Sequence, residues 1–305
     1  MHTAFFIITN RCSRSCPFCF YSTRYLTHPA DEMGENDLFN ALERLAALRV
    51  RQLIITGGEP FLRREIIALL RRAGGLGMAQ QLLTNGDLLD EATALQLMDC
   101  GLEGLSLSIS SLDDARRLDG AAALLRRAPR MTLTATIVFN RKNAGDLRAL
   151  YEWAHRNGMG TIFQPAYIPA DSKQFGPLSP HQMSKKQWEN VARLLREWGL
   201  RGHVTQYVDF ILSLYGQGSS SKPRRCTMAS EALVLDCDGT VYPCFHRRDL
   251  KAGNVFKTPD EVIVKNLEYS FREVCGARCY GEHCVSLFYG QQSNVSNPID
   301  VKARS

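Results

Sequence analysis

Cys12, Cys16 and Cys19 fall within eight residues, in Cys12-Ser-Arg-Ser-Cys16-Pro-Phe-Cys19. Three thiolates so close can hold one centre, and soft thiolates favour zinc or an iron–sulfur cluster. A structural zinc takes four closed ligands, and no fourth Cys or close-spaced His follows here; His28 alone in a loop reads as solvated. Three ligands on a four-iron cluster leave one iron open to another molecule. A second group of thiols, Cys226, Cys237, Cys244, Cys275, Cys279 and Cys284, occupies the last third, and Cys100 stands alone before Gly101. Disulfide frameworks belong to small secreted chains. This sequence of 305 residues shows no basic n-region or cleavage site near its start, so the thiols read as ligands or redox centres in a reducing, cytoplasmic setting.

The elements that must position these thiols are legible as alternation. Short apolar runs at Ala4–Thr9, Gln52–Thr56, Gln80–Thr84, Gly104–Ile109, Met131–Phe139 and Thr161–Gln164 read as buried parallel strands. Between the first two, Leu38, Leu42, Leu45 and Leu48 recur at helical spacing, with Asn36 as the expected cap. Helices are expected over Phe61–Arg72, Asp90–Cys100, Asp114–Ala128 and Asn143–Asn157. Six strands alternating with helices imply a parallel sheet with helices outside, open or barrel-like. The triplet then sits at the carboxyl end of strand one, where such sheets build their sites.

After a Pro- and Gly-containing break at Pro165–Pro180, further helices are expected over Ser184–Trp198 and Tyr207–Leu214. Gly216–Pro223 has linker composition. Ala232–Leu235 and Thr240–Tyr242 flank Asp238-Gly239, a strong hairpin signal, and Pro259–Arg272 reads as a short helix. The expected organisation is a core over residues 1–215, a small unit over 216–290 that metal crosslinks would help to fold, and a polar tail over 291–305.

A C-x3-C-x2-C triplet after strand one, with the aromatic Phe18 before its third Cys, resembles the signature of radical S-adenosylmethionine enzymes. Thr56-Gly57-Gly58-Glu59-Pro60 after strand two matches that family's Gly-Gly-Glu-Pro motif. Leu83-Thr84-Asn85-Gly86 and the stretch from Leu107 to Asp113 are further echoes. Relatives usually read Ser-Leu-Asp at the latter, so Ser110 stands where they have an acid. The resemblance implies an α/β fold, a partial (β/α)6 TIM-type barrel. It implies a [4Fe-4S] cluster on Cys12, Cys16 and Cys19 that binds S-adenosylmethionine at its open iron and, once reduced, yields a 5′-deoxyadenosyl radical. Glu59 and the Gly57-Gly58 backbone would hold the methionine amino group, Ser108 the carboxylate or ribose, and Phe18 the adenine. Packing is the competing reading for Phe18 and Ser108.

Cys226, twelve residues, Gly239, four residues and Cys244 resemble the opening of SPASM/twitch auxiliary-cluster domains. The later Cys275, Cys279 and Cys284 are spaced x3 and x4 instead of the usual x2 and x5. Six thiols cannot close two four-cysteine sites, so one auxiliary [4Fe-4S] cluster is expected, on Cys226, Cys244, Cys275 and either Cys279 or Cys284, with zinc as the alternative. Cys237 is read as packing or, if it faces the barrel mouth, as a hydrogen-atom donor.

The composition is ordinary for a globular protein: 45% apolar, 22% charged, net charge +6. No apolar run reaches the roughly 20 residues of a membrane span, so no membrane partner is expected. Scattered basic pairs such as Arg126-Arg127 without a nucleic-acid motif give RNA or DNA binding no support. The leading expectation is an oxidoreductase that dehydrogenates or epimerises a small, aminoglycoside- or sugar-like alcohol, drawing electrons from a flavodoxin or ferredoxin. The alternative is a maturase of a ribosomally made peptide, ranked second because residues 1–11 leave no room for a peptide-recognition domain. A non-enzymatic electron carrier or zinc scaffold comes third.

Overall fold

The computed structural model describes residues 1–19, 32–128, 130–202, 204–217 and 228–273. Six parallel strands form its centre: β1 (Thr3–Ile7), β2 (Gln52–Thr56), β3 (Ala79–Thr84), β4 (Gly104–Ile109), β5 (Thr132–Phe139) and β6 (Gly160–Pro165). They alternate with α1 (Glu35–Ala47), α2 (Ile66–Gly75), α3 (Glu91–Asp99), α4 (Leu112–Leu125) and α5 (Leu147–Arg156). Each strand pairs with the next in sequence, giving the order β6-β5-β4-β3-β2-β1. This is the expected partial barrel.

Register decides the two faces. Ala4, Phe6, Leu53, Ile55, Leu82, Leu105, Leu107, Leu133, Ile137 and Phe163 point outward and are buried under the helices. The opposite face carries Phe5, Ile54, Gln81, Ser106, Ser108, Thr134, Thr136, Ile162 and Gln164, brought side by side by the same register. Burying each large outward side chain contributes about 1.5–3 kcal/mol, so the helix-covered face carries a large share of the stability.

Three of the helix starts that differ from expectation bear on the loops around the sheet, and in two of them a side chain is used elsewhere. Asn36 is not a cap: α1 begins at Glu35 after an extended Gly34, with Glu35 and Asp37 in the first turn, where acids suit the helix dipole. The helix expected from Phe61 splits into a single turn at Pro60–Leu62 and α2, because Arg63 adopts an extended conformation and turns its guanidinium onto the Met33 carbonyl. The helix expected from Asn143 begins at Leu147, because the Asn143 amide donates to the carbonyls of Ser110 and Val138, both at 2.9 Å.

Past β6 come a short α6 (Phe175–Leu178), α7 (Lys185–Arg201) and α8 (Thr205–Leu214). The hairpin then forms on the expected residues, β7 (Ala232–Leu235) and β8 (Thr240–Tyr242), followed by a two-residue β9 (Gly253–Asn254) and α9 (Asp260–Glu273). Gly239 takes the turn at φ 82°, and a Cβ there would press on the Phe256 ring at 2.7 Å. Strand β7 lies parallel to β1, Thr3 to Phe6 opposite Ala232 to Leu235, so one nine-stranded sheet runs from β6 to β9. Leu233, Val241, Ile263 and Leu267 are fully buried in the same core as Phe6 and Leu53. Metal crosslinks are therefore not the sole support of this segment. Most of the Gly216–Pro223 linker and His28 lie outside the described residues. No described helix is long and apolar enough to cross a membrane.

The shared core generates a test. Leu233→Ala should lower the stability of the whole metal-free protein by about 2–5 kcal/mol. All three tryptophans, Trp153, Trp188 and Trp198, lie far from residue 233 in sequence. Their fluorescence should report one shifted denaturation midpoint; an unchanged tryptophan transition would separate the hairpin from the barrel core.

Candidate active site

The chain leaving β1 runs beside the chain leaving β2. Gly58 N–H donates to the Thr9 carbonyl and Glu59 N–H to the Arg11 carbonyl, both at 2.8 Å. The approach explains both glycines. Gly57 sits at φ 152°, and a Cβ there would fall on the Thr9 carbonyl oxygen; one on Gly58 would fall on that of Arg11. Cys12 is the next residue, so the Gly-Gly backbone sets where the thiol triplet starts.

Glu59 is completely buried. Its Oε1 accepts from Thr84 Oγ1 at 2.7 Å and Phe61 N at 3.1 Å, and its Oε2 accepts from Asn85 N at 2.9 Å. Burial raises its pKa above the ordinary carboxylate range, against the downward pull of the Asn85, Thr84 and Phe61 donors. These bonds lock the loop after β3 to the loop after β2. An incoming ammonium group would have to share oxygens that three protein donors already occupy.

Asn85 carries the lock on to the triplet: its Nδ2 lies 3.7 Å from Cys12 Sγ and 3.1 Å from Ser13 Oγ. The Arg14 backbone N–H also points at Cys12 Sγ, at 3.4 Å. Cys19 N–H closes a turn onto the Cys16 carbonyl at 3.0 Å. Cys12 is exposed, Cys16 and Cys19 half-buried. Burial raises the Cys12 and Cys16 thiols; the Arg14 N–H counteracts this at Cys12 and the Arg14 cation at Cys16. Ligation would therefore release protons.

Among the described residues, no three His, Cys, Asp or Glu side chains converge on a single ion. Zinc demands such convergence. In a four-iron cluster each thiolate takes a different iron, so three thiols on one short loop, with no fourth ligand among the described residues, suit that group. The donor set fits the cluster.

Phe18 packs with Val138 and Phe175 against Ala166, Ile168 and Leu178, reaching from the triplet to the chain beyond β6. It is half-buried, which serves packing and leaves part of the ring to a ligand. Ser108 lies on the inner face of β4 opposite Thr136. Cys237 is completely buried, which favours the packing reading over the hydrogen-donor one, and burial, with Glu32 and Asp238 nearby, pushes its thiol up to about 12. Cys100 is core, as expected. Cys244 follows β8; beside it Phe245 stacks edge-on against Phe5 at 5.2 Å, and His246 lies 6.1 Å from Tyr167 past β6. That loop thus spans the first and last strands of the barrel core. Cys226, Cys275, Cys279 and Cys284 lie outside the described residues.

Charged residues carry ties that sequence reading missed. Glu32 accepts from Thr9 Oγ1 at 2.7 Å and Asn10 N at 2.8 Å. Asp87 and Asp114 grip Arg14. The available signal was acids and amides at the carboxyl ends of parallel strands. Asp114 also receives Ser110 N–H at 2.9 Å and Ser110 Oγ at 3.1 Å, so a carboxylate stands against the position where Ser110 replaces an acid.

The radical SAM superfamily model matches residues 6–158, and an iron–sulfur cluster-binding domain, SPASM, matches residues 226–284. The chain belongs to the radical SAM superfamily. The superfamily brings a [4Fe-4S] cluster that binds S-adenosylmethionine, and the SPASM domain brings auxiliary iron–sulfur binding. Among curated relatives, a PqqA peptide cyclase from Granulibacter bethesdensis is 31% identical over 270 residues, covering 83% of this chain and 70% of the relative. A GTP 3′,8-cyclase from Sinorhizobium medicae is 26% identical over 264 residues, 79% and 74% of the two chains. Among solved structures, anSMEcpe with bound AdoMet superposes with a TM-score of 0.65 at 18% identity, covering 93% of this chain and 88% of that one. Streptococcus suis SuiB bound to the precursor peptide SuiA gives 0.63 at 16%, over 93% and 69%. These superpositions establish the fold.

The raised pKa of Glu59 generates a pH prediction. A carboxyl with a raised folded-state pKa stabilises fully below its unfolded value, about 4.3, and the contribution fades as pH rises through the folded value. The stability advantage of wild type over Glu59→Gln, read by denaturation of the metal-free protein, should therefore be larger near pH ~4 than near pH ~8. A gap independent of pH would remove the buried, raised carboxyl.

Proposed function

We propose that this enzyme is a peptide maturase: it removes hydrogen from a ribosomally made peptide and forms a crosslink within it. The similarity to PqqA peptide cyclase, 31% identity over 83% of this chain, carries the reading. The inner face of the sheet supports it. Gln81, Ser106, Ser108, Thr134, Thr136 and Gln164 are neutral donors and acceptors, and the register places no Lys or Arg among them. Such a surface matches peptide amides; a triphosphate would call for cations.

The bound cluster and S-adenosylmethionine supply one-electron chemistry. The chain's own part is to hold: Cys12, Cys16 and Cys19 would ligate, Gly57 and Gly58 bring two loops together, and Glu59 fixes the loop after β3. Phe18 and Ser108 would flank the bound S-adenosylmethionine. One auxiliary cluster on Cys226, Cys244, Cys275 and either Cys279 or Cys284 would accept the substrate electron, in a unit over residues 216–290 beside a core over 1–215. A flavodoxin or ferredoxin would deliver electrons, in the reducing cytoplasm where exposed thiols persist. Dehydrogenation or epimerisation of a sugar-like alcohol has less support, since the epimerase version relied on Cys237. The GTP 3′,8-cyclase similarity makes a nucleotide the second reading.

The test uses anaerobically reconstituted protein, reductant and S-adenosylmethionine with short peptides encoded beside its gene. One peptide should lose two hydrogen atoms by mass spectrometry, with matching 5′-deoxyadenosine, and Cys12→Ala should abolish both. Turnover with GTP or an amino sugar while every such peptide stays unchanged would overturn the reading.

A further inference from the structure

Arg14 stands between the first two thiols of the triplet, and its side chain is only 17% exposed. Its guanidinium forks onto one carboxylate: Nε donates to Asp87 Oδ2 at 2.8 Å and Nη2 to Asp87 Oδ1 at 2.6 Å. Its Nη1 lies 3.1 Å from Asp114 Oδ1, and its Nη2 reaches the Asn85 carbonyl at 3.3 Å. Arg117 closes the ring, with Nη2 on Asp114 Oδ1 at 3.0 Å and Nη1 on Asp87. Two cations and two anions thus alternate, drawn from the triplet loop, the loop after β3 and the first turns of α4. The anions are held in place: Ser13 Oγ donates to Asp87 at 3.0 Å, and Ser110 N and Ser111 N to Asp114 at 2.9 and 3.1 Å.

Exposed ion pairs contribute little, but Asp87 and Asp114 are 23% and 11% exposed, and a forked pair adds geometry to charge. Two N–H donors point at Cys12 Sγ, one from Arg14 itself and one from Asn85 on the loop after β3. Net charge and hydrogen bonds to sulfur are among the levers that set a cluster's potential.

We propose that Arg14 is a positioning residue for the S-adenosylmethionine-binding cluster: the ring seats the thiol loop, and the Arg14 charge, moderated by Asp87, sets how readily that cluster accepts its electron. An added electron makes the cluster more negative. A fixed cation beside it favours the reduced form, and incomplete exposure to water preserves the effect. Removing Arg14 or Asp87 must then move the potential in opposite directions, which loosening of the loop would not do. The inference rests on the family's cluster and is independent of the substrate.

The experiment is a potentiometric titration of anaerobically reconstituted full-length protein, read on the electron paramagnetic resonance signal that S-adenosylmethionine perturbs. Arg14→Gln should lower the reduced-to-oxidised ratio at fixed potential about tenfold, equivalent to ~59 mV for one electron. Asp87→Asn should raise it. Arg14→Lys keeps the charge and loses the fork; it should hold the wild-type potential while releasing iron to a chelator several-fold faster. Shifts of one sign for Arg14→Gln and Asp87→Asn, or equal shifts for Arg14→Lys and Arg14→Gln, would overturn the proposal. If Arg14→Gln cannot be reconstituted, Asp87→Asn decides alone: an unchanged or lowered potential overturns it.

Discussion

The site depends on a close approach of two backbones. Where the chains leaving β1 and β2 run side by side, the bonds from Gly58 N–H to Thr9 and from Glu59 N–H to Arg11 leave no room for a Cβ at either glycine. A parallel sheet normally releases its strands into separate loops. Here two loops continue as a paired ribbon past the sheet, and the thiol triplet begins where the pairing ends. The Glu59 carboxylate extends the same constraint to a third loop through Thr84 and Asn85. Its donors are all protein, so its burial is compensated: leaving one such group unpaired would cost about 1–3 kcal/mol.

Much of this was legible. The strands showed because helix-covered parallel strands are short, apolar and bounded by polar residues, and the thiol and Gly-Gly-Glu-Pro motifs showed because few residue types serve their roles. The helix starts were less legible, since a local signal cannot reveal a distant claim on a side chain. Asn143 reads as a helix opener until its amide proves to bridge the ends of β4 and β5. Arg63 reads as one turn of an amphipathic helix until its guanidinium reaches Met33. The Arg14 ring was illegible for the same reason: Arg14 lies 73, 100 and 103 positions before Asp87, Asp114 and Arg117, and only the Asp114–Arg117 pair on one helix is local.

Cys237 shows a different limit. Its place near Asp238-Gly239 and Cys244 left packing and chemistry both open, and its complete burial in the turn after β7 favours packing. Proximity in sequence to ligand cysteines says little about which way a side chain faces once a tight turn intervenes. Burial, with Glu32 and Asp238 nearby, keeps this thiol protonated.

Strand β1 acts as a common ruler for the triplet and for Cys244. It pairs with β2 on one side, which sets the start of the triplet, and with β7 on the other, which sets the hairpin that ends at Cys244. The loop holding Cys244 then returns, with Phe245 on Phe5 of β1 and His246 beside Tyr167. A tether of flexible chain would let the spacing between Cys12 and Cys244 drift. A continuous sheet whose outward face is buried in one core does not, because a slip of one residue would turn every buried side chain to the wrong face. Sheet register thus maintains the separation between the start of the triplet and Cys244.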